Sequence, residues 1–284
     1  MKFRPSVLLF WDYDGQWGYD RSRNTFTPSW RPHDEFENTE RLLELHAEYE
    51  IPSCFAVVGA AALPGKRPYH DPAQIRRICE SGHEVASHSM HHEWLPALDS
   101  KALRRTLKES KDALEQCIGA PVVTFVPPFN QPFDYPKGLS FSFSERRICN
   151  GHRNDVSKLC EALRETGYSF CRVSYRPLPQ RIAEWLSARR LDSPVCPVTI
   201  AGIQCLRLNT PGGFASDAVA MIDRVAQDGG IAVLYGHPHS LQSGNNQDEK
   251  YLVSILRRIR QLQKGNRLRV ILPRELVATF ERAA

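Results

Sequence analysis

GHEVASHSMHH, Gly82 to His92, sets a short apolar run between a glycine stop and a cluster of histidines. His83–His88 is too short for a helix, and its valine and alanine suit a buried strand. Upstream, DPAQIRRICESG reads as a helix: Asp71 caps it, Pro72 starts it and Gly82 ends it. Downstream, Asp99 or Ser100 opens LRRTLKESKDALEQC, which Gly119 closes. A strand between two helices is the repeating unit of a parallel α/β fold.

The same alternation runs outward in both directions. VLLFWD, residues 7–12, reads as a first buried strand, ended by Asp-Tyr-Asp-Gly. Residues 15–35 read as a long loop, and Asn38-Thr39 opens a helix over ERLLELHAEYE, followed by strand SCFAVVG. Beyond the central unit come strand VVTFV, helix VSKLCEALRETG and strand YSFCRVSY. Residues 177–210 carry no clear pattern; after them come helix SDAVAMIDRVAQDGG, strand IAVLYGH, helix KYLVSILRRIRQLQKG and LRVILP. About seven strands alternate with helices, with no repeat or linker, so residues 1–284 are expected to form one α/β domain, barrel or open sheet.

Composition narrows the function classes. Of 284 residues, 42% are hydrophobic and 24% charged, as in an ordinary globular enzyme. The net charge of +5 is modest, and the basic run Arg257–Arg269 reads as a solvated helix face, so no nucleic-acid partner is expected. The apolar run VLLFW is too short for a signal peptide, and no stretch approaches the roughly 20 residues of a membrane span. The eight cysteines form no CxxC pair and read as reduced thiols. The expectation is a cytoplasmic protein.

The chemistry should collect where strands end. Strand ends in order offer Asp12 and Asp14, then His88 to His92, then Pro127-Pro128-Phe129-Asn130, then His237 and His239. Histidine nitrogens and carboxylate oxygens are the donors of a catalytic zinc-type site, which keeps one position open. His88 and His92 would share a face if a helical turn follows the strand; His88 with His91 is the rival pair. Asp12 and Asp14, two apart, point one way in a regular strand, so one could bind the ion while the other acts as a base.

These stretches resemble the polysaccharide deacetylase family (the NodB-homology domain, carbohydrate esterase family 4). WDYDG is similar to its Asp-containing first motif, GHEVASHSMHH to its His-x-x-x-His motif, VTFVPPFN to its Arg-x-Pro-Tyr-type motif, and IAVLYGHPHSL to the strand bearing its catalytic histidine. The Asp-x-Asp spacing resembles a branch that includes peptidoglycan deacetylases and cyclic-amide hydrolases. The resemblance implies a distorted (β/α)7 barrel and one divalent metal, Zn2+ first. It implies Asp14, His88 and His92 as ligands, Asp12 as general base and His237 as general acid, with His239 the alternative. The Phe129 N–H would stabilise the oxyanion, and Asn130 would bond substrate. The implied reaction is hydrolysis of a linear amide, most simply deacetylation of an N-acetylated sugar or glycan intermediate. The alternatives are hydrolysis of a cyclic amide or imide, and a non-catalytic glycan-binding relative.

Two family positions differ. Val126 stands where an arginine orients the base; Arg153, Arg172 and Arg176 are candidates to replace it. The aspartate that tunes the catalytic histidine has only Asp192 and Asp217 as candidates. His83 is expected to bond backbone and His91 to point elsewhere. Trp11, Trp17, Trp30 and Trp94 are expected near the rim, and loop residues 15–33, with Arg21, Arg23 and Arg31, are a candidate substrate lid.

Overall fold

The computed structural model describes residues 3–22, 32–130, 156–173, 195–210 and 212–281. Among the described residues nine strands form one sheet: β1 (Ser6–Tyr13), β2 (Cys54–Val57), β3 (Glu84–Ser87), β4 (Thr124–Phe125), β5 (Phe170–Val173), β6 (Val198–Ile200), β7 (Ile203–Arg207), β8 (Ile231–Gly236) and β9 (Arg269–Val270). The order is β6-β7-β5-β4-β3-β2-β1-β8, with β9 paired to the start of β1. Every pairing in it is parallel except the β6–β7 hairpin. The sheet curls into a half-barrel of the (β/α)7 type, as expected.

The helices are α1 (Gly15–Ser22), α2 (Pro32–Tyr49), α3 (Pro72–Glu80), α4 (Ser100–Ile118), α5 (Val156–Glu165), α6 (Ser216–Asp228), α7 (Glu249–Lys264) and α8 (Pro273–Glu281). Their ends follow local chemistry. Asp71 accepts from the Gln74 N–H and Asp99 from the Ala102 N–H, and Gly119 takes the left-handed φ of 67° that closes α4.

Side-chain alternation gives β1 two apolar faces, because both sides of the sheet are covered. Val7, Leu9, Trp11 and Tyr13 point to the helix layer, with Leu42, Leu107 and Leu256. Leu8 and Phe10 point to the concave side, with Ala56, Ala86, Val126, Phe170 and Val233. The next residues of the concave rows are Asp12 after Phe10, His88 after Ala86 and Arg172 after Phe170. Strand periodicity therefore brings the polar groups together at the C-terminal rim.

Some expectations change. The loop expected over residues 15–35 is helical at Gly15–Ser22, and α2 begins at Pro32, six residues before Asn38. Proline suits a first helical turn because it has no N–H to leave unpaired, and Asp34 and Glu35 favour the positive end of the helix. Two short strands, β6 and β7, occupy part of the unreadable stretch. Trp11 is not at the rim: it is buried on the helix side and donates to His46 Nε2 at 2.9 Å. Trp30, Arg23, Arg31, Arg153, Arg176 and Asp192 lie outside the described residues. No helix among the described residues is long and apolar enough to cross a membrane.

Candidate functional site

Asp14, His88 and His92 converge just beyond the ends of β1 and β3, and all three are buried. Asp14 Oδ1 lies 3.3 Å from His88 Nε2 and 3.4 Å from His92 Nε2. One ligand atom from each residue falls within 4.8 Å of the others. No helical turn brings the histidines together. Ser89 and His92 instead adopt left-handed φ of 62° and 56°, folding the loop back so that the rings stand 5.0 Å apart. Such backbone is uncommon without glycine and must be held by its surroundings. Here the Gly59 N–H donates to Ser89 O, the Ala60 N–H to Met90 O, and Ser110 Oγ to Ser89 O.

The donor set fits a divalent ion. His88 Nδ1 lies 2.7 Å from the Val126 carbonyl, which can only accept, so Nδ1 carries the proton and neutral Nε2 is a lone pair. That lone pair faces Asp14 Oδ1, a buried oxygen with no hydrogen-bond partner among the described residues. Lone pairs gathered out of water call for a cation. Burial pushes the Asp14 carboxyl up, but positive charge on His92 and His88 outweighs it and holds it well below the usual carboxylate range; a cation between neutral rings would act in the same sense. One carboxylate and two imidazoles are the donor types of a catalytic metal site. The main chain behind Asp14 is clamped by Glu35, whose carboxylate accepts from the Asp14 and Gly15 N–H groups at 2.9 and 2.6 Å.

Asp12 is buried on the concave face and does not belong to the triad. Its two oxygens accept from the two terminal nitrogens of Arg172, at 2.7 and 2.6 Å. Arg172 is itself buried, and its guanidinium lies 5.1 Å from the Phe10 ring and 4.8 Å from the Tyr235 ring. Burial alone would raise the Asp12 carboxyl; the Arg172 charge, with His88 and His237, brings it below its ordinary value. Arg172, one of the three arginines considered for the place of Val126 and the one among them that is described, meets Asp12. The concave parity of FCRV, with an arginine after a buried Phe, was its sequence signal. Val126 contributes its carbonyl instead.

His237 Nε2 stands 4.0 Å from Asp12 Oδ2, at the end of β8. His239 follows on a 3-10 turn, Pro238–Ser240, not on an extended segment, and its ring centroid is 5.1 Å from that of His237. Burial and then His237 push the His239 imidazole down to about 3, which leaves it a poor proton donor near neutral pH. Asn38 of α2 donates to the Pro238 carbonyl at 2.9 Å and holds this turn.

The remaining residues separate cleanly. Phe129 adopts φ 55° and Asn130 φ 52°; the Phe129 ring packs on His92 and Trp94, and Asn130 Oδ1 accepts from Arg172 at 3.3 Å. His91 faces Glu93 and Trp17, outside the triad. His83 Nδ1 accepts from the Ser53 N–H, as expected of a structural histidine. Arg258 pairs with Asp223 and Arg260 with Glu50, in keeping with a solvated helix face. Asp217 lies in the first turn of α6. The described cysteines are free thiols. Sequence reasoning missed Glu35 and Asn38; a polar residue buried one helical turn from another is visible only once the helix is placed.

The polysaccharide deacetylase family profile matches residues 25–136, a span that contains His88, His92, Phe129 and Asn130. A chitooligosaccharide deacetylase of Rhizobium leguminosarum bv. trifolii is 38% identical over 76 residues, 27% of this chain and 33% of that protein. A chitooligosaccharide deacetylase of Sinorhizobium fredii (strain NBRC 101917 / NGR234) is 36% identical over 110 residues, 39% of this chain and 40% of that protein. The matches thus span well under half the length of these relatives. In fold, a crystal structure from Mycobacterium smegmatis, assigned to the polysaccharide deacetylases, is similar with a TM-score of 0.61. It is 19% identical, over 98% of this chain and 90% of that one. Residues 25–136 are thus similar to the polysaccharide deacetylase family, and the fold is similar to that of a solved structure assigned to it.

Proposed function

We propose that this protein is a metal-dependent hydrolase that removes the acetyl group from an N-acetylated amino sugar, on a glycan of the chito-oligosaccharide type. The observation that carries the reading is an arginine-clamped carboxylate, Asp12, two residues before Asp14 of the buried Asp14–His88–His92 triad and 4.0 Å from His237 Nε2. The named relatives, which deacetylate chito-oligosaccharides, support the substrate class.

Asp14, His88 and His92 would hold the ion, Zn2+ being the first choice for this donor set. A bound divalent ion lowers the pKa of water from about 16 toward about 7, so that hydroxide is available near neutral pH. Asp12, kept ionised by Arg172, accepts the proton of the attacking water; each of its oxygens retains a lone pair beyond the one Arg172 uses. The Phe129 N–H, presented by a left-handed turn, donates to the developing oxyanion. His237 delivers a proton from Nε2 to the amide nitrogen, because an amine leaves only when protonated. The departing groups are acetate and the free amino sugar.

The test is acetate release from chito-oligosaccharides, together with elemental analysis of wild type and His88→Ala. We expect about one divalent ion per chain, lost in the variant along with activity. Equal metal content in both would overturn the ligand assignment. Turnover of cyclic amides but not of N-acetylated sugars would move the protein to the other substrate class.

A further inference from the structure

His237 is held on the side away from Asp12 by a residue with no charge. Gln247 Oε1 lies 2.7 Å from the backbone nitrogen of His237 and 3.1 Å from its ring Nδ1. A backbone N–H can only donate, so the Gln247 atom that faces it is the amide oxygen. The ring nitrogen that shares this oxygen must then carry a proton as well. Two donors on one acceptor fix both the main chain and the tautomer of His237, and Nε2 is left facing Asp12 Oδ2 at 4.0 Å.

Gln247 is itself well anchored. Its backbone N–H donates to Asn245 Oδ1 at 2.7 Å, and the Asp248 N–H to Asn245 O at 3.1 Å. Gly244, with φ 72°, makes the turn and donates to Asp248 Oδ2. Asp248 in turn caps α7. The loop thus presents the amide from a fixed position at the start of a helix.

We propose that Gln247 is the positioning residue of His237: its amide oxygen locks the ring as the Nδ1–H form and aims Nε2 at the reacting nitrogen, without adding a charge. This rests on the reading of His237 as the general acid. An amide oxygen can accept from imidazole and from imidazolium alike, and it brings no full charge to either. A carboxylate in its place would also stabilise the added proton. Among the described residues, the charged and titratable groups around the ring are Asp12 of β1, Arg172 of β5 clamped to it, Tyr235 of β8 at 6.0 Å between ring centroids, and His239 at 5.1 Å. From α2 there is Glu35, engaged by the Asp14 and Gly15 N–H groups, and from the start of α7 Asp248, turned to Gly244 and Lys250. Position 247 thus decides whether a negative charge stands against Nδ1.

Two variants test this, with readouts that separate it from the assignment of function. Histidine 15N spectra of the full chain, with His237 assigned from His237→Asn, should show wild-type His237 as the Nδ1–H tautomer when neutral. Gln247→Leu should populate both tautomers. In chito-oligosaccharide turnover, Gln247→Leu should lower kcat about tenfold or more with KM nearly unchanged. Gln247→Glu should move the alkaline limb of the kcat/KM–pH profile upward by about one unit or more. A merely structural residue would change stability and leave that limb in place. An Nε2–H tautomer in the wild type, or an unmoved limb in Gln247→Glu, would overturn the proposal. If the wild type turned over no N-acetylated sugar, the functional reading would fall, and the tautomer measurement would still decide the role of Gln247.

Discussion

Two terminal nitrogens of Arg172 close on the two oxygens of Asp12, and both side chains are out of water. Removing one partner leaves the other charge buried and unpaired, which costs about 3–5 kcal/mol. Arg172→Met should therefore lower stability by that order in urea melts, and adding Asp12→Asn should recover much of the loss; additive losses would show that the pair is not coupled. Arg172→Lys keeps the charge but cannot span both oxygens, so kcat should fall about a hundredfold. A second pair of buried groups governs stability against pH. His46 Nδ1 donates to Ile51 O and Nε2 accepts from Trp11, so the neutral ring is fully used. Burial, then His83, pushes His46 down to about 3, and burial pushes His83 down to about 4. Both folded values lie below the ordinary value of 6.5. Below 6.5 the unfolded chain takes up protons that the native chain refuses, and stability falls as the pH drops toward about 4 and 3. Glu84 acts in the opposite sense, because burial lifts it to about 7 and the native chain keeps its proton as pH falls. Comparing wild type with His46→Gln cancels the Glu84 contribution. The wild-type advantage should shrink below pH 6.5 by up to about 1.4 kcal/mol per unit; a constant difference would refute the buried neutral imidazole.

At the scale of elements, the loop carrying His88 and His92 is held by its neighbours more than by itself. Gly59 packs so closely on α4 that an added Cβ would meet Ser110 Oγ at 2.5 Å and Ser110 Cα at 2.7 Å. The same Gly59 donates to Ser89 O, and Ser110 Oγ bonds Ser89 O and Ser87 Oγ. Gly59→Ala must push α4 away from the turn that follows β2, at about 1–3 kcal/mol. It should weaken metal binding about tenfold or more through the loop, without touching a ligand. Competition with a chelating dye would read the change, and unaltered affinity would show that the ligand loop holds its own shape. Helix α2 acts in the same way on the other two strand ends: Glu35 clamps the peptide after Asp14 and Asn38 the turn after His237, one helical turn apart.

Across the whole molecule, the three candidate ligands come from just beyond the ends of two strands, β1 and β3, that lie on either side of β2. An ion that binds only the folded chain stabilises it by mass action, about 4 kcal/mol at a thousandfold excess over Kd. Chelation should therefore lower the melting temperature by several degrees, and restored Zn2+ should return it. His88→Ala should melt at one temperature with or without the ion. A chelator effect that persisted in His88→Ala would place the stabilising ion elsewhere.

Much was written in local sequence. Hydrophobic runs, caps such as Asp71 and Asp99, and stops such as Gly82 and Gly119 act within a few residues, so the alternating α/β order and the strand-end Asp12, Asp14, His88, His92 and His237 were legible in the chain. The exceptions are local too: α1 carries little apolar pattern, and α2 begins at a proline whose helical role depends on what precedes it. Tertiary structure decided the partners. Arg172 reaches Asp12 across 160 positions of chain, because the curl of the sheet brings the concave rows of β1 and β5 within side-chain reach. His88 and His92 share a site through left-handed backbone at Ser89 and His92, which contacts with Gly59, Ala60 and Ser110 help to sustain. Residue types and strand parity set which groups could meet; the closure of the sheet, which no local pattern encodes, set which of them do.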